Sequence, residues 1–227
     1  MSVERLELLE MPSGAHQMAQ ALEIELTGNA LTHNQPSLIR LIERAVAGDT
    51  AAFEQIMINS QQRVMAMSWR ILGNEADARD ACQEVFLRVF KYLNRFKQDQ
   101  DFFAWLATIT LNVCRDISRK RRRHDERFTT YQGSEENEAL SVHSEQTNAE
   151  ESLVIAEQRN LIAQALSTLS QNERATIVLR DIEGLSTDEV ASIMKSSSTT
   201  VRSQISTARK KIMVYCEQSL RRKERKR

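Results

Sequence analysis

The chain has 227 residues, with 31 basic and 31 acidic side chains but only six Gly and two Pro. So few turn residues exclude a sandwich or barrel and favour helices, in one large domain or two small ones. The longest apolar run, Phe102 to Ala107, falls well short of the roughly 18 residues a membrane-spanning helix needs.

The N-terminus carries acids and no apolar stretch, so no secretory signal is expected. The three cysteines, Cys82, Cys114 and Cys216, form no C-x-x-C pair, and the four His make no ligand spacing with them. Neither a metal nor another cofactor is expected. An odd number of thiols suits a reducing cytoplasm. The zero net charge hides a pattern. Residues 1–36 carry one basic and five acidic side chains, residues 37–124 fifteen and ten, residues 125–152 one and eight, and residues 153–227 fourteen and eight. Two basic blocks, which attract polyanions, are thus separated by an acidic spacer that repels them.

In chain order, residues 1–36 show weak periodicity and read as a poorly ordered extension. From Ser37 onward, Leu38, Leu41, Ile42, Ala45 and Val46 share one helical face, closed by Gly48. Asp49 caps a second helix with Phe53, Ile56, Met57, Val64 and Ile71 inward, and Gly73 stops it. Asn74 caps a third, in which Ala78, Ala81, Cys82, Val85, Phe86, Val89 and Leu93 recur at three and four. A fourth stripe, Phe102, Trp105, Leu106, Ile109, Val113 and Ile117, runs out into the basic Arg119–Arg123. These four helices make a bundle of the size one core supports.

Residues 125–152 lose the pattern and bury too little apolar surface to order the chain, so they read as a flexible acidic linker. Periodicity returns at Leu153, with Ile162, Ala165, Leu166 and Leu169, then Ile177, Val178, Ile182 and Leu185. Ser186-Thr-Asp-Glu189 is a capping box. A turn at Lys195–Ser198 leads into a last helix with Val201, Ile205, Ala208 and Ile212. The second domain spans 153–216, and a basic tail covers 217–227. The fold class is therefore all-α, in two small helical domains.

Three segments carry candidate chemistry. Ser186–Ile212 has the form of a helix-turn-helix, whose second helix fits the major groove. Thr199, Thr200, Arg202 and Ser203 lie at its leading end, within reach of bases or backbone, while Arg209, Lys210 and Lys211 suit phosphate. The plainer reading is a helical hairpin with a solvated face. In the basic fourth helix, aromatics at the start suit unpaired bases, which stack on π-faces. Phe102 and Trp105 have core spacing, and Phe103, off the stripe, is expected to be exposed. In the third helix, Asp77, Asp80 and Glu84 share a face with Gln83 nearby, an acidic surface for a basic partner. A solvated helix face is the alternative there, and a hydrolytic site would need an opposed carboxylate or metal set that is not evident.

With these segments in place, the chain resembles the extracytoplasmic-function (ECF) group of bacterial sigma factors over residues 38–216. The group's D-A-x-D-x-x-Q-E-x-F stretch is matched by Asp77, Ala78, Asp80, Gln83, Glu84 and Phe86. Its F-x-x-W-L-x-x-I-x-x-N-x-x-x-D-x-x-R stretch is matched by Phe102, Trp105, Leu106, Ile109, Asn112, Asp116 and Arg119. The last domain matches at Ala165, Leu166, Leu169, Arg174, Gly184, Leu185, Ser186, Glu189, Ala191, Thr200, Val201, Ala208 and Arg209.

The resemblance implies a sigma factor that binds core RNA polymerase and directs promoter-specific initiation, without being an enzyme itself. It implies a four-helix domain at 37–124 for polymerase docking and −10 melting, and a helix-turn-helix domain at 153–216 for the −35 element. Docking falls to Asp77, Asp80, Gln83, Glu84 and Phe86. Single-stranded −10 DNA falls to Phe103, Asn112, Arg115, Arg119 and Lys120, and duplex −35 DNA to Thr199, Thr200, Arg202, Ser203 and Arg209. Many members of the group are held inactive by a cognate anti-sigma protein, and a cytoplasmic location follows. The sequence departs from the group's pattern at Ser170, usually Pro, at Lys195, usually Gly, and at Ser196, Thr199 and Gln204. Thr110-Leu111 also stand where Ala-Arg is frequent. These departures touch promoter recognition rather than docking. Two rivals are a stand-alone helix-turn-helix regulator, which would bind palindromic sites without polymerase, and a metal-dependent nuclease using Asp77, Asp80 and Glu84.

Overall fold

The computed structural model describes residues 36–128 and 160–224. Residues 1–35 of the expected extension 1–36, most of the expected acidic linker and the onset of periodicity at Leu153 lie outside the described residues. The described residues fall into two compact units, one within 31–138 and one within 139–227, and all their regular structure is helical.

The first unit holds α1 (Pro36–Val46), α2 (Thr50–Leu72), α3 (Glu75–Tyr92), a 3₁₀ turn (Leu93–Arg95) and α4 (Phe102–Phe128). α1 starts at Pro36 rather than Ser37, because proline's missing N–H costs nothing in a first turn. Both expected caps form. The Asp49 carboxylate accepts from Ala52 N–H at 3.1 Å, and Asn74 Oδ1 accepts from Asp77 N–H at 2.9 Å. The Ala52 N–H and the Arg44 guanidinium together hold the Asp49 carboxyl below its ordinary value. α2 ends at Gly73, whose φ of 70° lies in the left-handed region, where glycine has no Cβ to clash.

Helices α2, α3 and α4 pack mutually, and α1 leans on α2 and the 3₁₀ turn. Only Ile42 of α1 is fully buried, and Val46, expected inward, is exposed at the helix end. Ile56, Val64 and Ile71 of α2, Ala78, Val85 and Val89 of α3, and Leu106, Leu111 and Val113 of α4 are all buried in the core between these helices. α4 runs four residues into the expected linker. The residues from Arg119 to Phe128 include no Gly or Pro, so nothing in them stops a helix.

The second unit holds α5, described over 160–167, α6 (Gln171–Ile177), a π turn (Val178–Ile182), α7 (Thr187–Met194) and α8 (Ser198–Glu224). Ser170 and Ser186 each close a complete capping box, with Glu173 and Glu189. Ser170, where the sigma group usually has Pro, therefore begins its helix with a side-chain acceptor instead of a fixed φ. α8 continues well past the expected boundary at 216, through a stretch rich in Arg, Lys, Glu and Leu. It packs on α6 and α7 through Val201, Ile205 and Ala208. Among the described residues no helix is long and apolar enough to cross a membrane.

Candidate functional site

At about 100° per residue, α3 divides into three sectors. Ala78, Ala81, Val85 and Val89 face the core. Asp80, Gln83, Leu87 and Phe90, at i, i+3, i+7 and i+10, run along the solvent side. Asp77, Glu84 and Arg88 form the edge that meets α4. The three carboxylates expected to act together do lie on one side of the helix, but their partners divide them. Asp77 accepts from Arg121 of α4 at 3.0 Å. Glu84 accepts from Arg88 at 2.7 Å, and Arg88 also donates to Asp116 of α4 at 3.2 Å. Asp116 in turn lies 3.8 Å from Arg119. No ion pair among the described residues includes Asp80. Desolvation works against the Arg88 guanidinium, but its bonds to Glu84 and Asp116 outweigh it and raise its pKa.

Two expected contact residues are turned inward. Phe86 is only 8% exposed, on the core side of α3. Phe103, expected off the stripe, is 4% exposed and carries the Arg63 guanidinium 4.4 Å over its ring. The reason is geometric. α4 is covered by both α2 and α3, so its buried stripe is wide enough to take Phe102, Phe103, Leu106, Ala107, Thr110 and Leu111. Trp105, read as core, is only half-buried and packs 5.5 Å from Phe96. Thr110 donates to Leu106 O at 2.9 Å and Leu111 is buried, so both departures from Ala-Arg serve the core.

The outward face of α4 carries Asn112, Asp116, Arg119 and Lys120, all exposed, and continues through Arg121–Arg123. Arg115 is half-buried, and burial together with the nearby Arg119 charge lowers its pKa. Sequence reasoning did not single out Leu87 and Phe90, 66% and 63% exposed. The available signal was that both are large, apolar and off the core stripe. Phe90 also meets Phe53 edge-on at 5.0 Å.

In the second unit, α7 ends at Lys195, whose φ of 53° and ψ of 50° put it in the left-handed region. Ser196 N–H reaches Ala191 O at 2.9 Å and Lys195 N–H reaches Ser192 O at 3.2 Å, the paired bonds of a Schellman turn. Ser197 Oγ then accepts from Thr200 N–H at 3.1 Å, capping α8. Ser198 donates to Asp188 at 2.6 Å and ties the two helices together. Thr199, Thr200, Arg202 and Ser203 are all exposed at the leading end of α8. Gln204 accepts from the buried Thr176 hydroxyl at 2.8 Å. Arg209 makes two bonds to Asp181 of the π turn, at 2.9 and 3.0 Å. It helps line an open groove of about 410 Å³ with Arg180, Arg202, Ile205, Lys210 and Met213. Among the described residues no group of three His, Cys, Asp or Glu side chains is arranged to hold a metal. All three thiols have pKa values raised by burial, Cys114 up to about 12.

The two units correspond to two known family models. Residues 57–124 match Sigma-70 region 2, and residues 159–212 match Sigma-70, region 4. A region 2 helix set followed by a region 4 helix-turn-helix defines a bacterial sigma factor, a protein of promoter-specific transcription initiation. Among curated relatives, the chain is 30% identical to the ECF RNA polymerase sigma-E factor of Escherichia coli, over 76% of this chain and 90% of that one. It is 29% identical to the RNA polymerase sigma-H factor of Pseudomonas aeruginosa, with the same coverage. The chain belongs to the ECF sigma factors. The fold agrees with solved structures. The sigma factor RpoE bound to the anti-sigma factor NepR from Bartonella quintana matches with a TM-score of 0.59 at 19% identity, over 73% of this chain and 96% of that one. CnrH in complex with the cytosolic domain of CnrY matches with a TM-score of 0.55 at 26% identity, over 80% and 97%.

Proposed function

We propose that the first unit, residues 37–124 with its α4 extension, docks on core RNA polymerase through the outward stripe of α3. In this reading Asp80 and Gln83 supply hydrogen-bond acceptors, Leu87 and Phe90 an apolar centre, and Asp77 and Glu84 a flanking negative edge. The single observation that carries the assignment is that stripe: two large exposed apolar side chains beside free acidic and amide groups. Interfaces place apolar anchors inside a polar rim in this way.

The basic outward face of α4, with Asn112, Arg115, Arg119 and Lys120, takes the −10 strand. Hydrogen bonds from Asn112 and phosphate contacts from the basic groups there offset the few kcal/mol, roughly, that unpairing costs. Phe103 is left out of this set because its ring is buried. The second unit, residues 153–216, reads the −35 duplex through Thr199, Thr200, Arg202 and Ser203, with Arg209 bracing the helix from Asp181. The acidic residues 125–152 and their flanks connect the two. Linked in one chain and held on polymerase, each weak contact acts at high effective concentration. Polymerase performs the bond chemistry and the chain itself catalyses none. A cytoplasmic location follows from that partner. A regulatory protein partner of the anti-sigma kind is supported by the CnrH relative, solved with another protein's cytosolic domain.

Run-off transcription with core polymerase on a sheared genomic template tests the reading. Discrete new start sites are expected with the chain present, lost on Asp80→Arg combined with Glu84→Arg. Absence of both new starts and a complex with core would overturn docking and leave a stand-alone regulator.

A further inference from the structure

In the second unit, Arg202, Ile205, Arg209 and Met213 stand at i, i+3, i+7 and i+11 and share one face of α8. With Arg180 and Lys210 they line the open groove of about 410 Å³. Ile205 is 8% exposed and Met213 half-buried, so the groove has an apolar base. Arg202, Arg209 and Lys210 are exposed around it, and no acidic side chain lines it. Arg209 is held by Asp181, but no ion pair among the described residues includes Arg202 or Lys210. Duplex phosphates would use these cations. They would leave the apolar base of Ile205 and Met213 unexplained.

We propose that this groove takes the Leu22-Glu23-Ile24-Glu25-Leu26 stretch of the chain's own N-terminal extension, with its acids against Arg202 and Lys210 and its apolar side chains on Ile205 and Met213. The stretch lies among the 35 residues that precede α1 at Pro36. Those residues carry five acidic side chains and one basic, and the sigma-group motifs, which begin after them, give them no role. One consequence is competition with the −35 duplex for Arg202. That consequence rests on the reading of the second unit above, while the contact itself does not.

Complementarity selects this occupant. Leu22, Ile24 and Leu26 alternate with Glu23 and Glu25, so each acid has apolar neighbours on both sides. An apolar base beside exposed cations suits that pattern. The acidic residues 125–152 match the charge, but their apolar side chains are scattered and show no such alternation. Exposed ion pairs alone add little. The apolar contacts therefore carry most of the affinity, and the charges set register and select against other segments. Being part of the same chain, the stretch meets the groove at a local concentration on the order of a millimolar or below. If it binds with a Kd of that order, it fills the groove for about half to four-fifths of the time, and duplex affinity falls by about two- to fivefold. The contact is thus a restraint on DNA binding rather than a block.

Methyl NMR of the full chain with labelled methionine tests the contact without DNA. Met213, assigned through Met213→Leu, reports on the groove. Its resonance is expected to move when Leu22→Ser is combined with Ile24→Ser, which leaves the charge unchanged. It should move the same way with Glu23→Gln plus Glu25→Gln. Glu4→Gln plus Glu7→Gln, the same loss of charge elsewhere in the extension, should leave it in place. A Met213 resonance that ignores the first two pairs overturns the inference. So does one that responds instead to replacement of Glu135, Glu136 and Glu138, which would put the acidic segment in the groove. A response that grows with protein concentration also overturns it, because the occupant would then come from a second copy. Matching circular dichroism melts verify that the variants are folded. In parallel, anisotropy measures binding to a short, fluorescently labelled, mixed-sequence duplex at low ionic strength. Leu22→Ser plus Ile24→Ser should tighten it by about two- to fivefold. If the Met213 resonance moves and duplex affinity does not, the contact stands and the assignment of Arg202 to DNA fails.

Discussion

At the scale of single residues, burial decides what a side chain can do. Phe103 and Phe90 are both phenylalanines of the first unit. The first is enclosed under Arg63, while the second stands out from α3. Phe103→Ala is expected to lower stability by about 3–5 kcal/mol, since it empties a closed site. Phe90→Ala should cost about 1 kcal/mol, mainly its edge contact with Phe53. It should instead weaken binding to core polymerase roughly fivefold or more, as an exposed anchor does. Chemical denaturation and a core-binding titration on the two variants check both halves. Equal loss of stability would show that the outward stripe belongs to the fold rather than to a partner. The sequence pattern separated neither residue, because position on a periodic stripe tells which side of a helix a residue takes but not how many neighbours cover that side.

At the scale of elements, the turn and the braces of the helix-turn-helix have definite costs. Lys195 occupies the left-handed region, where a Cβ costs roughly 1–2 kcal/mol, partly offset against glycine's greater freedom in the unfolded chain. Lys195→Gly is therefore expected to stabilise the second unit by about 0.5 kcal/mol, visible as a higher urea midpoint with an unchanged slope. The Glu173–Lys211 pair braces α6 against α8, with bonds of 2.8 and 2.9 Å. Hydrogen bonding to Lys211, aided by Ser170 and opposed by desolvation, lowers the Glu173 pKa from 4.5. The folded state thus binds its proton less readily than the unfolded one. The pair's contribution is fully present above about pH 4.5 and is lost as pH falls through the lower folded value. Melting temperatures between neutral and strongly acid pH should therefore drop less steeply for Glu173→Gln than for the unchanged chain. Equal slopes would show that Lys211 does not hold this carboxylate.

At the scale of the whole molecule, the described residues form two cores rather than one. Fragments cut at the unit boundary, Leu31–Glu138 and Ala139–Arg227, are expected each to give a cooperative helical melt by circular dichroism. Mixed together with core polymerase, they should support far less promoter-specific transcription than the joined chain at equal concentration, because the tether supplies effective concentration. Full activity of the mixed fragments would remove the need for the linker.

The sequence by itself determined the class of the fold, the four helices of the first unit with the caps of two of them, the helix-turn-helix and the family, because caps, periodicity and motif spacing are local. Asp49, Asn74 and Ser186 each mark a helix start within four residues of themselves. It also brought the docking carboxylates and the basic α4 to notice, though not their contact. Only the tertiary structure decided that Phe86 and Phe103 turn inward, that Leu87 and Phe90 stand out, and that Asp77 reaches Arg121 across 44 residues. Each of these depends on which neighbouring helix covers which side of α3 and α4. That is a property of packing between distant segments, and no local spacing records it.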